Sequence, residues 1–259
     1  MRNVLAAALV LAAVPAPANA ESPPSAVATG LAIPIAGIPD RAPPLPDHGR
    51  AILVDAASAR LFMIENGKVL DSMRVIVGKP ASATPVIRST IFYATLSPYW
   101  NVPADLARTL IAPNVLKHGV GYLHNRGYEV VSRFSANAEV IAPRGVDWRA
   151  VADGRATVHV RQRPGPANSM GQVKFGFENK DGIFLHDTPR KALFAEADRS
   201  LSNGCVRLED APRLARWLMG RDFNSADSTP EQHVPLPGAV PIVITYLDSA
   251  AEGRLAALR

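Results

Sequence analysis

One cysteine, Cys205, occurs among 259 residues, inside Ser202-Asn203-Gly204-Cys205 and 19 positions after His186. A thiol and an imidazole together are the parts of a nucleophile and its base: the imidazole takes the proton and the sulfur attacks an acyl carbon. Such chemistry also requires donors for the developing oxyanion and a group that orients the base. Gly204 lets the backbone turn sharply, so the N–H groups of Asn203, Gly204 and Cys205 could converge on one point. A helix beginning just after the cysteine is expected to add its positive end and favour a thiolate. A buried, inert thiol is the competing reading of a lone cysteine. His48, His118, His124, His159 and His233 show that imidazole alone carries little information. Their spacing is not that of a ligand set, so neither a metal nor a cofactor is expected.

Elements must bring the pair together. His186 ends the apolar run Ile183-Phe184-Leu185, which places it at a strand end, and Pro189 turns the chain after Asp187 and Thr188. The intervening residues are ample to return Cys205 to that strand end. Upstream, AILVDA and ARLFMI read as strands, and Asn66-Gly67 before KVLDSMRVIV is a strong hairpin signal. RSTIFYATL, ATVHVRQ, GQVKFGF, GIFLH and VPIVITYL (240–247) are further strand candidates. Residues 104–117 are expected to be helical. So are 209–219, where Leu208, Ala211, Leu214, Ala215 and Leu218 share a face, Pro212 fits the first turn and Gly220 stops the helix. The expected fold is mostly β with flanking helices. The section 103–160 is less regular and more polar, as an inserted lid would be.

The chain begins with Arg2, an apolar run from Val4 to Val14 and Ala18-Asn19-Ala20. That is the pattern of a secretory signal peptide cut after residue 20, and it predicts a periplasmic protein. The run is too short to anchor in a bilayer, and no later segment reaches transmembrane length. Pro23, Pro24, Pro34, Pro39, Pro43, Pro44 and Pro46 make 21–48 an extended linker or arm. Removing the leader's single charge, Arg2, takes the formal net charge from +5 to +4. A mildly basic exported protein favours acidic polymers, but no Lys/Arg block suggests nucleic acid. An oxidising compartment normally pairs or purges its cysteines, which makes a retained single thiol a candidate for chemistry.

His186-Asp187-Thr188-Pro189 followed by Ser202-Asn203-Gly204-Cys205-Val206-Arg207 resembles the signature of the L,D-transpeptidase catalytic domain (YkuD family). Arg74 to Pro80 with Thr84-Pro85, Trp100-Asn101-Val102-Pro103, Gly165 to Ser169 with Lys174-Phe175, and Leu193-Phe194 are similar, in order, to the larger proteobacterial branch. The resemblance implies a YkuD-like β-sandwich over 49–247, with a lid at about 103–160 and a tail at 248–259. It implies Cys205 as nucleophile, His186 as base and Asp187 as its orienter through the backbone carbonyl. Oxyanion donors fall on Asn203 and Gly204. Arg207 matches an arginine expected near a substrate carboxylate, with an ion pair to Glu209 or Asp210 as its structural alternative. Trp100, Asn168 and Ser202 match substrate-contacting positions. Asn203 stands where many members have histidine, and Phe184 where relatives carry tyrosine.

The implied reaction is transfer between peptidoglycan stem peptides. Cys205 would attack the carbonyl of an L-centre, expel D-alanine and hand the acyl group to a diamino-acid amine. With no separate peptidoglycan-binding module read in the sequence, substrate capture is expected to rest on the catalytic domain itself or on wall-synthesis protein partners. An L,D-carboxypeptidase, an enzyme that attaches or releases wall proteins through the same cysteine, and a non-catalytic wall-binding protein remain the competing readings.

Overall fold

The computed structural model describes residues 46, 48–135, 137–222 and 229–256. The expected leader and nearly all of the expected arm lie outside the described residues. The chain from residue 50 to 78 folds as its turn chemistry demands. β1 (Arg50–Asp55), β2 (Arg60–Glu65) and β3 (Lys68–Gly78) pair successively antiparallel. Asn66 and Gly67 carry φ of 50° and 74° between β2 and β3, the two positive values a two-residue hairpin needs.

These strands join β4 (Ile87–Leu96), β9 (Val173–Phe177), β10 (Leu185–His186), β11 (Ser200–Ser202), β12 (Val206–Leu208) and β13 (Gln232–Thr245) in one nine-stranded sheet. Its order is β11-β3-β12-β10-β9-β4-β13-β1-β2, and β2 also pairs with β3, so the sheet wraps round and closes. The fold is mostly β with flanking helices. Inward side chains, among them Leu61, Met73, Ile91, Phe175, Leu185 and Val206, make one core. Helix α5 (Ala211–Met219) adds Leu214, Ala215 and Leu218 to it. The alternate residues Ala51, Leu53, Phe62, Ile64 and Val243 form a second apolar layer with Ala251 and Leu255 of α6 (Ser249–Ala256). β1 and β2 are thus covered on both faces, which explains why they read as near-continuous apolar runs.

Two expectations need correction. The last strand begins at Gln232 rather than Val240, and its register against β4 shifts between Pro235 and Val240. Prolines withdraw N–H donors from a ladder and sit at such bulges, which disguised the first half of the strand. Part of the expected tail is helix α6.

The stretch between β4 and β9 is an excursion from two strands that are themselves paired. Within it, β5 (Trp100–Asn101), β6 (Tyr128–Val131), β7 (Val140–Ile141) and β8 (His159–Gln162) make a separate sheet in the order β5-β8-β6-β7. Its helices are α1 (Ala104–Leu106), α2 (Ala112–His118), α3 (Gly121–Asn125) and α4 (Trp148–Ala152), with a π-turn over Ala107–Ile111. This unit is not the irregular segment its polarity suggested. Val102, Ile111, Val115, Leu123, Val130, Trp148 and Val160 give it its own core. The expected helix at 104–117 and the strand in ATVHVRQ are both present, but β6, β7, α3 and α4 are each only a few residues long, so no periodic run marked them in the sequence.

Phe175 is fully buried at the centre of the wrapped sheet. Phe175→Ala is expected to lower unfolding stability by about 3–5 kcal/mol, measured by urea titration. A loss well under 1 kcal/mol would contradict this packing.

Candidate active site

β10 and β12 run parallel, with Leu185 opposite Val206 and His186 opposite Arg207. Side chains alternate along a strand. Leu185, Val206 and Leu208 therefore enter the core, fully buried, while His186, Cys205 and Arg207 face the other way, onto a cleft of about 430 Å³. On the far side of β10, antiparallel β9 sets Lys174 opposite His186. Lys174, His186 and Arg207 thus stand in one row across three strands.

The loop carrying Cys205 is tied down on every side. Ser202 O accepts from Lys79 N at 3.0 Å. Thr84 Oγ1 accepts from Gly78 N at 2.8 Å and donates to Gly204 O at 2.7 Å, joining the end of β3 to the residue before the nucleophile. Ser202 Oγ donates to Cys205 O at 2.6 Å and accepts from Gly204 N at 3.0 Å. Val206 N donates to Phe184 O at 3.0 Å. Gly204 holds φ at 117°, a region that disfavours any Cβ, and a Cβ there would come within 3.1 Å of Ile183 Cδ1.

His186 is buried, and its Nδ1 lies 2.5 Å from Asp187 O. A carbonyl only accepts, so Nδ1 carries the proton and Nε2 keeps its lone pair. Burial, the largest influence, pulls the imidazole down to about 4. The charges of Arg207 and Lys174 push the same way, while Asp187 opposes through its carbonyl and its charge. The ring is neutral at pH 7. The Asp187 carboxylate turns away from the ring: Oδ2 accepts from Gln172 N at 2.9 Å and Oδ1 from Lys191 Nζ at 2.7 Å. Lys191 Nζ also donates to Leu208 O and Glu209 O, bracing the segment after β10 against the end of β12.

Burial pushes the Cys205 thiol above its usual value, outweighing the Phe184 amide and the Arg207 charge, which favour the thiolate. The sulfur is directed toward Gly182 O at 3.9 Å. The expected helix end does not act here. β12 intervenes, α5 starts at Ala211, and its first turn is capped by Asp210, whose Oδ1 accepts from Arg213 N at 3.0 Å. The resting pair is therefore thiol and imidazole rather than thiolate and imidazolium.

Of the site residues expected from sequence, Trp100, His186, Ser202, Asn203, Cys205 and Arg207 line the cleft. Asn168 does not. It is almost wholly buried, its Nδ2 donates to Pro98 O, Gln162 O and Arg163 O, and its Oδ1 accepts from Met170 N. An asparagine in a Gly-Pro-rich loop reads alike whether it meets substrate or holds backbone; here it holds backbone. The Gly204 N–H, engaged by Ser202, is not free for an oxyanion. Asn203 N makes no hydrogen bond among the described residues. Arg207 has no ion pair with Glu209 or Asp210: Glu209 pairs with Arg74, and Asp210 with Arg213. Sequence reading missed the roles of Thr84, Lys174 and Lys191, and it missed Arg126 and Arg190 on the cleft wall. The i,i+4 spacing of Asp187 and Lys191 carries a signal only in hindsight of the turn at Pro189.

Thr84→Val removes both hydrogen bonds that tie β3 to Gly204. It is expected to lower stability by about 1–3 kcal/mol and to slow acylation of Cys205 by about 100-fold. Equal acylation rates for parent and variant would contradict the tether. In the unfolded chain His186 takes a proton at its ordinary 6.5, whereas the folded chain refuses it until about 4. Stability is therefore expected to fall as pH drops from 6.5 to about 4. Urea titrations at stepped pH should show that slope, and His186→Gln should flatten it; an unchanged slope would contradict a buried neutral imidazole.

The family model of the L,D-transpeptidase catalytic domain, YkuD, matches residues 49–244. A Haemophilus influenzae relative named for L,D-transpeptidase activity is 33% identical over 175 residues, 68% of this chain and 35% of that protein. The chain thus spans about a third of that relative's length. An L,D-transpeptidase structure from Mycobacterium smegmatis aligns with TM-score 0.37 and 14% identity, covering 76% of this chain and 58% of that one. L,D-transpeptidase 1 of Mycobacterium tuberculosis aligns with TM-score 0.31 and 13% identity, covering 75% and 61%. With three quarters of its residues inside the family match, and with a strand-end histidine set beside its single cysteine, this chain belongs to the L,D-transpeptidase catalytic-domain family.

Proposed function

We propose that this chain is an exported, periplasmic peptidoglycan L,D-transpeptidase with Cys205 as nucleophile. The observation that carries this reading is His186. Its Nδ1–H is held by Asp187 O and its ring is kept neutral, which leaves Nε2 as a base one strand from the half-buried Cys205 thiol. A thiol that stays protonated at rest requires such a base at the moment of attack.

The steps follow from these positions. Nε2 of His186 takes the Cys205 proton as the sulfur bonds to the carbonyl carbon of an L-centre in the donor stem. The amides of Asn203 and Cys205 are the donors for the oxyanion, since that of Gly204 is engaged. Collapse breaks the peptide bond, the leaving D-alanine amine collects the proton from His186, and a thioester remains. The side-chain amine of a second stem attacks the thioester, gives a proton to His186, and the thiol is restored. Bond energy of the first amide is carried through the thioester, so no nucleotide is consumed.

The unit between β4 and β9 walls one side of the cleft with Trp100, Leu106, Leu110, Tyr122 and Tyr128. In this reading the 103–160 section is a lid: it keeps water from the thioester until the acceptor amine arrives. Residues 1–20 direct export, 21–48 give the domain reach, and wall-synthesis proteins bring it to its substrate.

Incubating the full chain with tetrapeptide and tripeptide stem fragments is expected to give a crosslinked dimer and free D-alanine by mass spectrometry. Cys205→Ala should give neither. Tripeptide without dimer would contradict transfer and favour hydrolysis by the same cysteine. No product from any fragment would contradict the reading as a whole.

A further inference from the structure

The described residues lining the cleft include three arginines, Arg126, Arg190 and Arg207, and no aspartate or glutamate. They come from three different places. Arg126 follows α3 in the inserted unit, Arg190 follows the turn after β10, and Arg207 lies on β12. Elsewhere some arginines pair with acids, Arg74 with Glu209, Arg161 with Glu129 and Arg213 with Asp71, while Arg60 and Arg199 donate to a hydroxyl or to carbonyls. Among the described residues none of the three cleft arginines has such a partner. Arg126 packs its guanidinium over Tyr122, 5.1 Å from the ring centre. Arg190 is close enough for its charge to act on both Arg207 and the Tyr128 hydroxyl. Arg207 is half-buried and Arg126 and Arg190 are exposed at the cleft's edge, so three like charges converge on one opening where a bound anion offsets their repulsion.

Guanidinium forks match carboxylates, which they hold with two parallel hydrogen bonds. Arg207 lies two residues from Cys205 on the same strand face, within reach of a carboxylate close to the reacting carbonyl. Arg190 and Arg126 lie outward of it, on the walls contributed by the β10 turn and the inserted unit. One carboxylate does not occupy all three. We propose that Arg190 and Arg126 form a second carboxylate subsite, which selects donor stems whose diamino acid carries a free side-chain carboxylate over those in which it is amidated. This inference rests on the transpeptidase reading for the identity of the peptide, but not for the charge preference.

The test compares a tetrapeptide stem fragment bearing the free carboxylate with the same fragment as its carboxamide, by calorimetry on the full chain carrying Cys205→Ala. The amide is expected to bind about tenfold more weakly, a factor typical of one charge-assisted contact. Adding Arg190→Gln and Arg126→Gln should bring the two affinities together by weakening the carboxylate form alone. Equal affinities in the Cys205→Ala chain, a difference that survives loss of both arginines, or no binding of either fragment would overturn the subsite. A preference for the carboxylate without any turnover by the parent chain would uphold the subsite and sink the crosslinking reading. Crosslinking of both fragments with equal affinity would do the reverse.

Discussion

Two residue pairs of parallel strand, Leu185 with Val206 and His186 with Arg207, hold the whole site together. This is a two-residue ladder, as short as those of β10 with β9 and of β12 with β3, and it brings His186 beside the loop that carries Cys205. So short a ladder has little strength of its own, which explains the density of ties around it. Thr84 links β3 to Gly204, Ser202 closes the loop on itself, and Lys191 joins the Asp187 carboxylate to the carbonyls at the end of β12. The wrapped sheet and α5 supply the apolar floor on which these polar ties rest.

The same arrangement decides the protonation of the pair. A buried imidazolium flanked by Lys174 and Arg207 is disfavoured, and desolvation disfavours a thiolate at the half-buried Cys205, so both partners are neutral at rest. Neutral groups cost less to bury than an ion pair whose desolvation must be offset. They also guard the lone thiol, because oxidants and alkylators react with the thiolate. In the proposed reaction, attack then depends on proton transfer to Nε2 as the substrate carbonyl arrives. The Asp187 carbonyl matters for this reason: it stabilises the imidazolium that forms while fixing the tautomer that can form it.

Much of this was legible in the sequence, and the failures have physical causes. Asn66-Gly67 declared its hairpin because two positive φ values leave few residue choices. Cys205 and His186 declared themselves through a strand end, a glycine turn and the absence of any pairing thiol. Asn168 misled because a buried backbone-holding amide and a substrate-holding amide occupy the same kind of loop. The helix end expected behind Cys205 misled because Val206-Arg207-Leu208 reads equally as the approach to a helix and as a short strand; only pairing with β3 and β10 decides it. Thr84 and Arg190 were invisible as site residues, since their importance lies in which backbone and which charges they meet across more than a hundred residues or across the inserted unit. The first half of β13 was hidden by its prolines.

In the proposed function a neutral His186 activates a protonated Cys205. The most direct test is the single-turnover rate of acyl-enzyme formation on Cys205, followed by quenched-flow intact-protein mass spectrometry with a stem tetrapeptide across pH. The rate is predicted to hold nearly constant down from neutral pH and to fall by half only near the imidazole's lowered value of about 4. A half-maximal rate at the ordinary imidazole value of 6.5, or unaltered acylation in His186→Gln, would contradict it.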